Sequence, residues 1–426
     1  MGRYRAYPDY KDSGVDWFDS APVHWEIKRI SYVAQLRSGD AIVSEQIEAE
    51  GEYPVFGGNG LRGYTNNYTH EGRYILIGRQ GALCGNINYG DGKFWASEHA
   101  VVVYPFLPVH TKWLGETLRA MNLNQYNVSA AQPGLAVANI TCLKIPFPTY
   151  SEQVAIASFL DHETAKIDSL IEQQQKLIQL LKEKRQAVIS QAVTKGLNPD
   201  APMKDSGVEW LGEVPGHWGV MRLKQLVRAP LMYGANEAAL DTDIECPRFI
   251  RITDVLPDGT LKSDTFRSLS EELAKPYLLS EGDVLLARTG GTVGKSFMYS
   301  TSWGRCCFAG YLIKASLNQN LVMAEWFYQY TSTQYYWEWI ASNQIQATLP
   351  NVSADKYNNL VLAVPPVSEQ GSILSYLNKS VDLLNDLENK ALVAIALMRE
   401  RRTALISAAV TGKIDVRGWQ APIANH

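Results

Sequence analysis

Two segments of this chain carry the apolar spacing of long helices. From Ser151 to about Lys195 there is neither Gly nor Pro, and Leu, Ile, Gln, Lys and Glu dominate. Ser151 with Glu152 supplies a start, and Gly196 followed by Pro199 a stop. Alternating four- and three-residue steps connect Ile156, Leu160, Ile167, Leu170, Leu177, Leu181 and Val188, with Glu163, Gln174 and Lys184 as polar interruptions. After Ser368 the same steps connect Ile373, Leu377, Leu384, Leu387, Met398 and Leu405. This heptad seam predicts two coiled-coil helices, each about 65 Å long at 1.5 Å per residue. Phe159, Ile171, Ile178, Ile189 and Val193, with their counterparts Tyr376, Ile395, Ile406 and Val410, widen the apolar stripe and predict a second helical neighbour. Packing of each helix on its own globular region alone is the simpler alternative.

Elsewhere the pattern is that of short strands. Tyr74 to Ile77, Val101 to Tyr104, Val284 to Leu286 and Tyr311 to Ile313 are β-branched or aromatic runs separated by glycine-dense turns such as Phe56 to Gly60. Trp113 and Trp326 then open what read as short helices.

The chain is also written twice. Lys11 to Trp17 (KDSGVDW) returns as Lys204 to Trp210 (KDSGVEW), and His24-Trp25 returns as His217-Trp218, both at an offset of 193. Ser151-Glu152-Gln153 returns as Ser368-Glu369-Gln370 at an offset of 217, so the second variable region is 24 residues longer than the first. Within those regions Arg79, Gly81 and Gly85 match Arg288, Gly290 and Gly294 at an offset of 209. The order is box, variable region, helix, and then the same again.

Composition narrows the function. At 426 residues the chain is long enough for two or three domains, and 46% hydrophobic with 20% charged residues is globular. A net charge of −4 excludes a protein that coats nucleic acid by bulk charge, though not a local basic cleft. Residues 21–150 hold ten basic and ten acidic side chains, and residues 213–366 hold thirteen and fifteen. Five cysteines without a CxxC pair exclude a disulfide scaffold and the usual zinc patterns. No secretory leader or membrane-spanning run is evident, which points to the cytoplasm.

Catalytic motifs dissolve on inspection. Gly290 to Ser296 (GGTVGKS) resembles a phosphate loop, but the spacing places Thr289 where the pattern needs glycine, so a β-turn is the better reading. Asp9, Glu26 and Lys28 have the look of a magnesium-dependent nuclease site, yet the second box has Gly219 and Met221 where the first has Glu26 and Lys28. The seven histidines are scattered and suggest no metal site. Recognition is what remains. Arginine forks onto guanine, and asparagine or glutamine onto adenine. The first region offers Asn59, Arg62, Tyr64, Asn66, Asn67, Arg79, Gln80, Asn86 and Gln132 as DNA-reading candidates. The second offers Arg248, Arg251, Arg288, Thr289, Lys295, Asn343, Gln344 and Gln346.

The repeated boxes, YPVFGGNGLRGYT, YILIGRQGALCG and the SEQ-led helices together resemble the specificity subunit of type I restriction-modification systems, over essentially the whole chain. The resemblance implies an α+β fold in which two β-rich target-recognition domains are joined by two long helices forming an antiparallel coiled coil. The corresponding boundaries are 1–150, 151–203, 204–367 and 368–426. It further implies that each domain reads one half of a split, asymmetric double-stranded DNA target, and that the helical pair sets the spacing. Two adenine-methylating modification subunits would dock on the chain, and restriction subunits with translocase and nuclease activity can join them. S-adenosylmethionine, ATP and magnesium would be bound by those partners, with no cofactor in this chain. The near-neutral regions then predict weak DNA binding by the chain alone. A coiled-coil adaptor with two protein-binding β modules is the competing class, and a self-contained nuclease the third.

Overall fold

The computed structural model describes residues 4–421 apart from Ala82, 128–133, Leu240, 257–258 and 345–349. The chain forms two compact units, residues 1–175 with 392–426, and residues 176–391. Two long helices, α1 (Tyr150–Lys195) and α2 (Val367–Val410), each contribute one half to either unit. Among the described residues no helix is long and apolar enough to cross a membrane.

In the first unit a four-stranded antiparallel sheet has the order β1 (Ala34–Ser38), β7 (Ala100–Pro105), β4 (Tyr74–Gly78), β5 (Ile87–Gly90). Alternation along its central strands decides which core each residue enters. Ile75, Ile77, Val101 and Val103 face Trp113, Leu118, Phe159 and Leu160, whereas Leu76 and Val102 face Phe94 and Ala96. Phe94 and Ala96 lie on β6 (Lys93–Ala96), which pairs in parallel with β2 (Tyr53–Gly57); β2 turns tightly into β3 (Gly60–Thr65). Strands with cores on both faces explain why these runs are almost continuously apolar.

The second unit repeats the plan. Its sheet order is β8 (Met232–Tyr233), β13 (Leu312–Ala315), β10 (Val284–Ala287), β11 (Ser296–Met298), and β9 (Arg248–Ile250) pairs in parallel with β12 (Cys306–Phe308). Val284, Leu286 and Ile313 enter the core with Trp326 and Phe327, while Leu285 and Leu312 enter another with Ile250 and Phe308. Trp113 and Trp326, read from sequence as helix starts, are fully buried in helices Thr111–Ala120 and Ala324–Tyr330. The expected strands are present, except that Tyr311 lies in the turn before Leu312–Ala315 and not in the strand.

Each repeated box grips a helix start. Glu152 accepts from Trp25 Nε1 at 3.1 Å and Thr149 Oγ1 at 2.9 Å, and its Oε1 is 2.8 Å from His24 Nε2. In the second unit Glu369 accepts from Trp218 Nε1 at 3.2 Å and lies 2.7 Å from His217 Nε2. Each box also touches the end of the other helix: Pro22 and Trp25 close on Gly412, and Pro215 and Trp218 on Gly196. The helices therefore run antiparallel. In the second unit, as α1 advances from Lys182 to Arg185, its α2 partners retreat from Glu388 (3.4 Å) to Asn385 (2.8 Å). In the first unit Arg402 forks onto Asp168 at 2.9 and 3.3 Å.

Burial acts to raise the Glu152 carboxyl, but the bonds from His24, Trp25 and Thr149 outweigh it and hold the group below its ordinary range. A depressed carboxylate contributes stability that is complete above its unfolded value, near pH 4.5, and is lost as the pH falls through the folded value. Glu152→Gln is therefore expected to cost about 1–3 kcal/mol at pH 7 and to flatten the acid limb of stability below that range. Thermal melts at pH 7 and pH 4 check this; an unchanged acid limb would contradict it.

The helical seam departs from the simple heptad. Buried or half-buried positions on α1 run Ile156, Leu160, Thr164, Ile167, Ile171, Gln174, Ile178, Leu181, Arg185, Val188 and Ala192. On α2 they run Ile373, Leu377, Val381, Leu384, Glu388, Ala391, Ile395, Met398, Arg402, Leu405 and Ala409, each 217 residues on. Both series make two four-residue steps in succession at their start, after which every second position lies one residue beyond the heptad expectation. Ile156, Leu160, Ile167, Leu181, Val188, Ile373, Leu377, Leu384, Met398 and Leu405 keep their expected places, but Leu170, Leu177 and Leu387 are exposed. The broad stripe at the helix ends is buried in cores that also hold shorter helices: Phe159, Ile406 and Val410 with Trp113 and Leu118 of Thr111–Ala120, and Ile189 and Val193 with Trp326 and Phe327 of Ala324–Tyr330. Tyr376 is exposed.

Candidate nucleic-acid interface

One strand-turn recurs in both units with the same backbone bonds. In the first, Arg79 N–H donates to His99 O (2.9 Å), Leu135 N–H to Arg79 O (2.9 Å) and Gly85 N–H to Gly78 O (2.7 Å). In the second, Arg288 donates to Tyr311 O (3.0 Å), Val352 to Arg288 O (2.9 Å) and Gly294 to Ala287 O (2.9 Å). Gly81 and Gly290 have φ of 90° and 75°, and Gly85 and Gly294 of 88° and 87°, so both turns need glycine at both places. Gly290–Thr292 is a short 3-10 turn and Ser296 opens β11, so this segment leads from a turn into a strand and not, as a phosphate loop would, into a helix.

The two arginines are held differently by equivalent residues. Arg79 donates from Nη1 to Ser38 Oγ at 3.1 Å. Arg288 lies 4.6 Å over the Tyr233 ring, and its buried Nε has no hydrogen-bond partner. Tyr233 is fixed in turn, its hydroxyl accepting from Ala354 N–H at 2.9 Å. The cation–π contact orients Arg288 without using its donors, leaving the fork available to an acceptor. Ser38, Tyr233, His99 and Tyr311 were not among the sequence candidates. The constant 209-residue offset finds the arginines, but pairing is needed to find these partners.

Around Arg79 the first unit gathers Asn59, Arg62, Gln80 and Asn86. The β2–β3 turn lies on the end of β4, Asn86 Nδ2 donates to Asn59 Oδ1 at 3.0 Å, and the Arg62 stem lies against Gly57. Gln80 is exposed and bridges to Gly134. Tyr64, Asn66 and Asn67 lie elsewhere. Thr65 pairs with Tyr53 while Gly60 pairs with Gly57, so they stand at the other end of the hairpin, about 13 Å away at 3.3 Å per residue. Gln132 and Gln346 lie outside the described residues.

In the second unit only Thr289 accompanies Arg288 on the turn. Arg251 forks onto buried Asp254 at 2.9 and 3.0 Å and also reaches Thr265 O at 3.1 Å, which engages its Nε and Nη2. Arg248 braces Lys262 O at 2.6 Å and lies over Phe266. Lys295 is exposed at the foot of the turn. Asn343 bonds back to Trp339 O at 3.0 Å, and Gln344 N–H caps the same helix through Ile340 O. Beside Thr289 and Tyr311 opens a cleft of about 730 Å³. Of the nuclease-like trio, Lys28 pairs with Glu26 at 3.0 Å and lies over Phe147. Among the described residues no cluster of three His, Cys, Asp or Glu could hold a metal ion.

Comparison with known proteins accounts for the duplication. The type I restriction modification DNA specificity domain matches residues 22–180 and again 215–397. The EcoprrI type I restriction enzyme specificity subunit of Escherichia coli is 40% identical over 174 residues, 40% of this chain and 43% of that protein. A putative type I specificity subunit of Haemophilus influenzae is 25% identical over 389 residues, 90% of this chain and 94% of its own length. In fold, the chain is similar to a solved chain of a type I R-M system (TM-score 0.64, 16% identity, covering 92% of this chain and 99% of that one). It is also similar to the HsdS subunit of Thermoanaerobacter tengcongensis (TM-score 0.54, 13% identity, 92% and 98%). Matched twice and over most of its length, the chain belongs to the type I restriction-modification DNA specificity family.

Proposed function

We propose that this chain is the non-catalytic specificity subunit of a type I restriction-modification complex, reading a bipartite asymmetric DNA target with one half-site per unit. The observation that carries the proposal is the strand-turn bearing Arg79 in one unit and Arg288 in the other. Its backbone bonds are the same in both, while the neighbouring side chains differ, which suits unlike half-sites. Asn59, Arg62, Gln80 and Asn86 are the companions of Arg79, and Thr289 of Arg288. The helical pair sets the spacing between half-sites. Methylation and cleavage belong to partner subunits, which also bind S-adenosylmethionine, ATP and magnesium.

With balanced charge in both variable regions, the chain relies on its partners for phosphate contacts. Fluorescence anisotropy at physiological salt is expected to find weak, non-selective binding by the chain alone and tight specific binding once modification subunits are added. Specific nanomolar binding by the isolated chain would contradict this.

The seam shift supports a docking site for those subunits. It leaves Leu170, Leu177 and Leu387 outside the seam, and these join Leu392, Val393 and Leu397 on the first unit and Leu180 and Leu383 on the second as exposed apolar side chains of the two helices. One such surface per unit supports two modification subunits on one scaffold. Leu383→Asp with Leu387→Asp is expected to change stability by less than about 1 kcal/mol, because both side chains are already exposed. Light scattering should find the complex reduced from two modification subunits to one; two retained would place docking elsewhere.

A further inference from the structure

We infer that the second half-site is read inside the cleft, by Asn236, Thr289 and Tyr311 beside Arg288, whereas the first is read by a closed tip; this rests on the reading of the chain as a DNA-specificity subunit. The difference begins with one residue. In the first unit a Cβ at Gly78 would stand 2.0 Å from Gly58 O, so the β2–β3 turn can lie on the strand end only because residue 78 is glycine. The Asn59–Asn86 bond then closes the tip. The position with the same backbone bonds in the second unit is Ala287. There the segment after β9 is a short turn, Ile252–Asp254, fastened by Asp254 to Arg251. The cleft opens between this turn and the turn at Thr289–Thr292.

The lining suits base edges. Tyr311 is 66% exposed on the rim. Asn236 packs so closely on Gly310 that a Cβ there would stand 1.9 Å from its Oδ1. Among the described residues no hydrogen bond engages the side chains of Asn236, Thr289 or Tyr311. An asparagine amide both donates and accepts, as adenine requires in the major groove, while tyrosine offers a ring face and a hydroxyl. Arg251 shares the lining, but its ion pair with Asp254 makes it part of the wall.

The test uses the complete methyltransferase complex with a plasmid library of target sites, sequencing the adenines that become methylated. Asn236→Ala and Tyr311→Ala are each expected to lower discrimination roughly 10-fold or more at one or two adjacent base pairs, in the same half-site, with the other half unchanged. Asn236→Asp keeps the shape but only accepts, so it should move preference from adenine toward cytosine, an outcome that loss of folding does not produce. Unchanged preference in all three variants, or equal loss in both halves, would overturn the inference. If the wild-type complex methylates no bipartite motif, the broader reading fails instead.

Discussion

Replacing Arg288 with alanine in the assembled methyltransferase is expected to relax or abolish reading of one half-site while the other is read as before. The side chain is half-exposed, and the Tyr233 ring, 4.6 Å away, orients it without engaging its N–H donors. A bidentate arginine–guanine contact provides about 1–3 kcal/mol of discrimination, so the specificity lost at that base pair is roughly 5- to 150-fold. Arg79→Ala should do the same to the opposite half, and the double variant should relax both. Unlike a core residue, Arg288 is half-exposed, so the variant should fold. Sequencing methylated adenines in cells carrying each variant checks this, and unchanged methylation at every site would remove Arg288 from the interface.

Lengthening both helices should change the target without changing what either half reads. Four residues inserted in each helix, near Gln175 and Leu392, add about 6 Å at 1.5 Å per residue. DNA rises about 3.4 Å per base pair, so the spacer between half-sites should grow by one to two base pairs. A four-residue step preserves the face of the helix closely, and both seams already contain one extra step of this size. An unchanged spacer in an active variant would show that something other than the helices sets the distance.

Much of this architecture is legible in the sequence because it is written twice. The boxes, the helix starts at Ser151 and Ser368 and the strand-turns at Arg79 and Arg288 repeat at fixed offsets, and all fold alike. The seam phase is not legible. Leu170 and Ile171, like Leu177 and Ile178, are both apolar, so either alternative satisfies a helical period; the cores at the helix ends select between them. Side-chain occupancy is equally hidden. Arg251 and Arg288 look alike as free arginines, but Asp254 captures one and Tyr233 orients the other. Asn66 and Asn67 lie close to Asn59 in sequence, yet the hairpin carries them to its opposite end. Reading the cleft needs Gly78 and Ala287 to be compared in place, since the closed tip depends on a missing methyl group.

The central claim is that two unlike readers on one chain specify one DNA target. Its most direct test is to express the chain with its modification partner in a host lacking other methylation and to sequence the modified adenines. The account predicts a single motif with two different specific halves, a non-specific spacer of fixed length and one methylated adenine in each half. A continuous or palindromic motif, or methylation that persists unaltered without this chain, would contradict it.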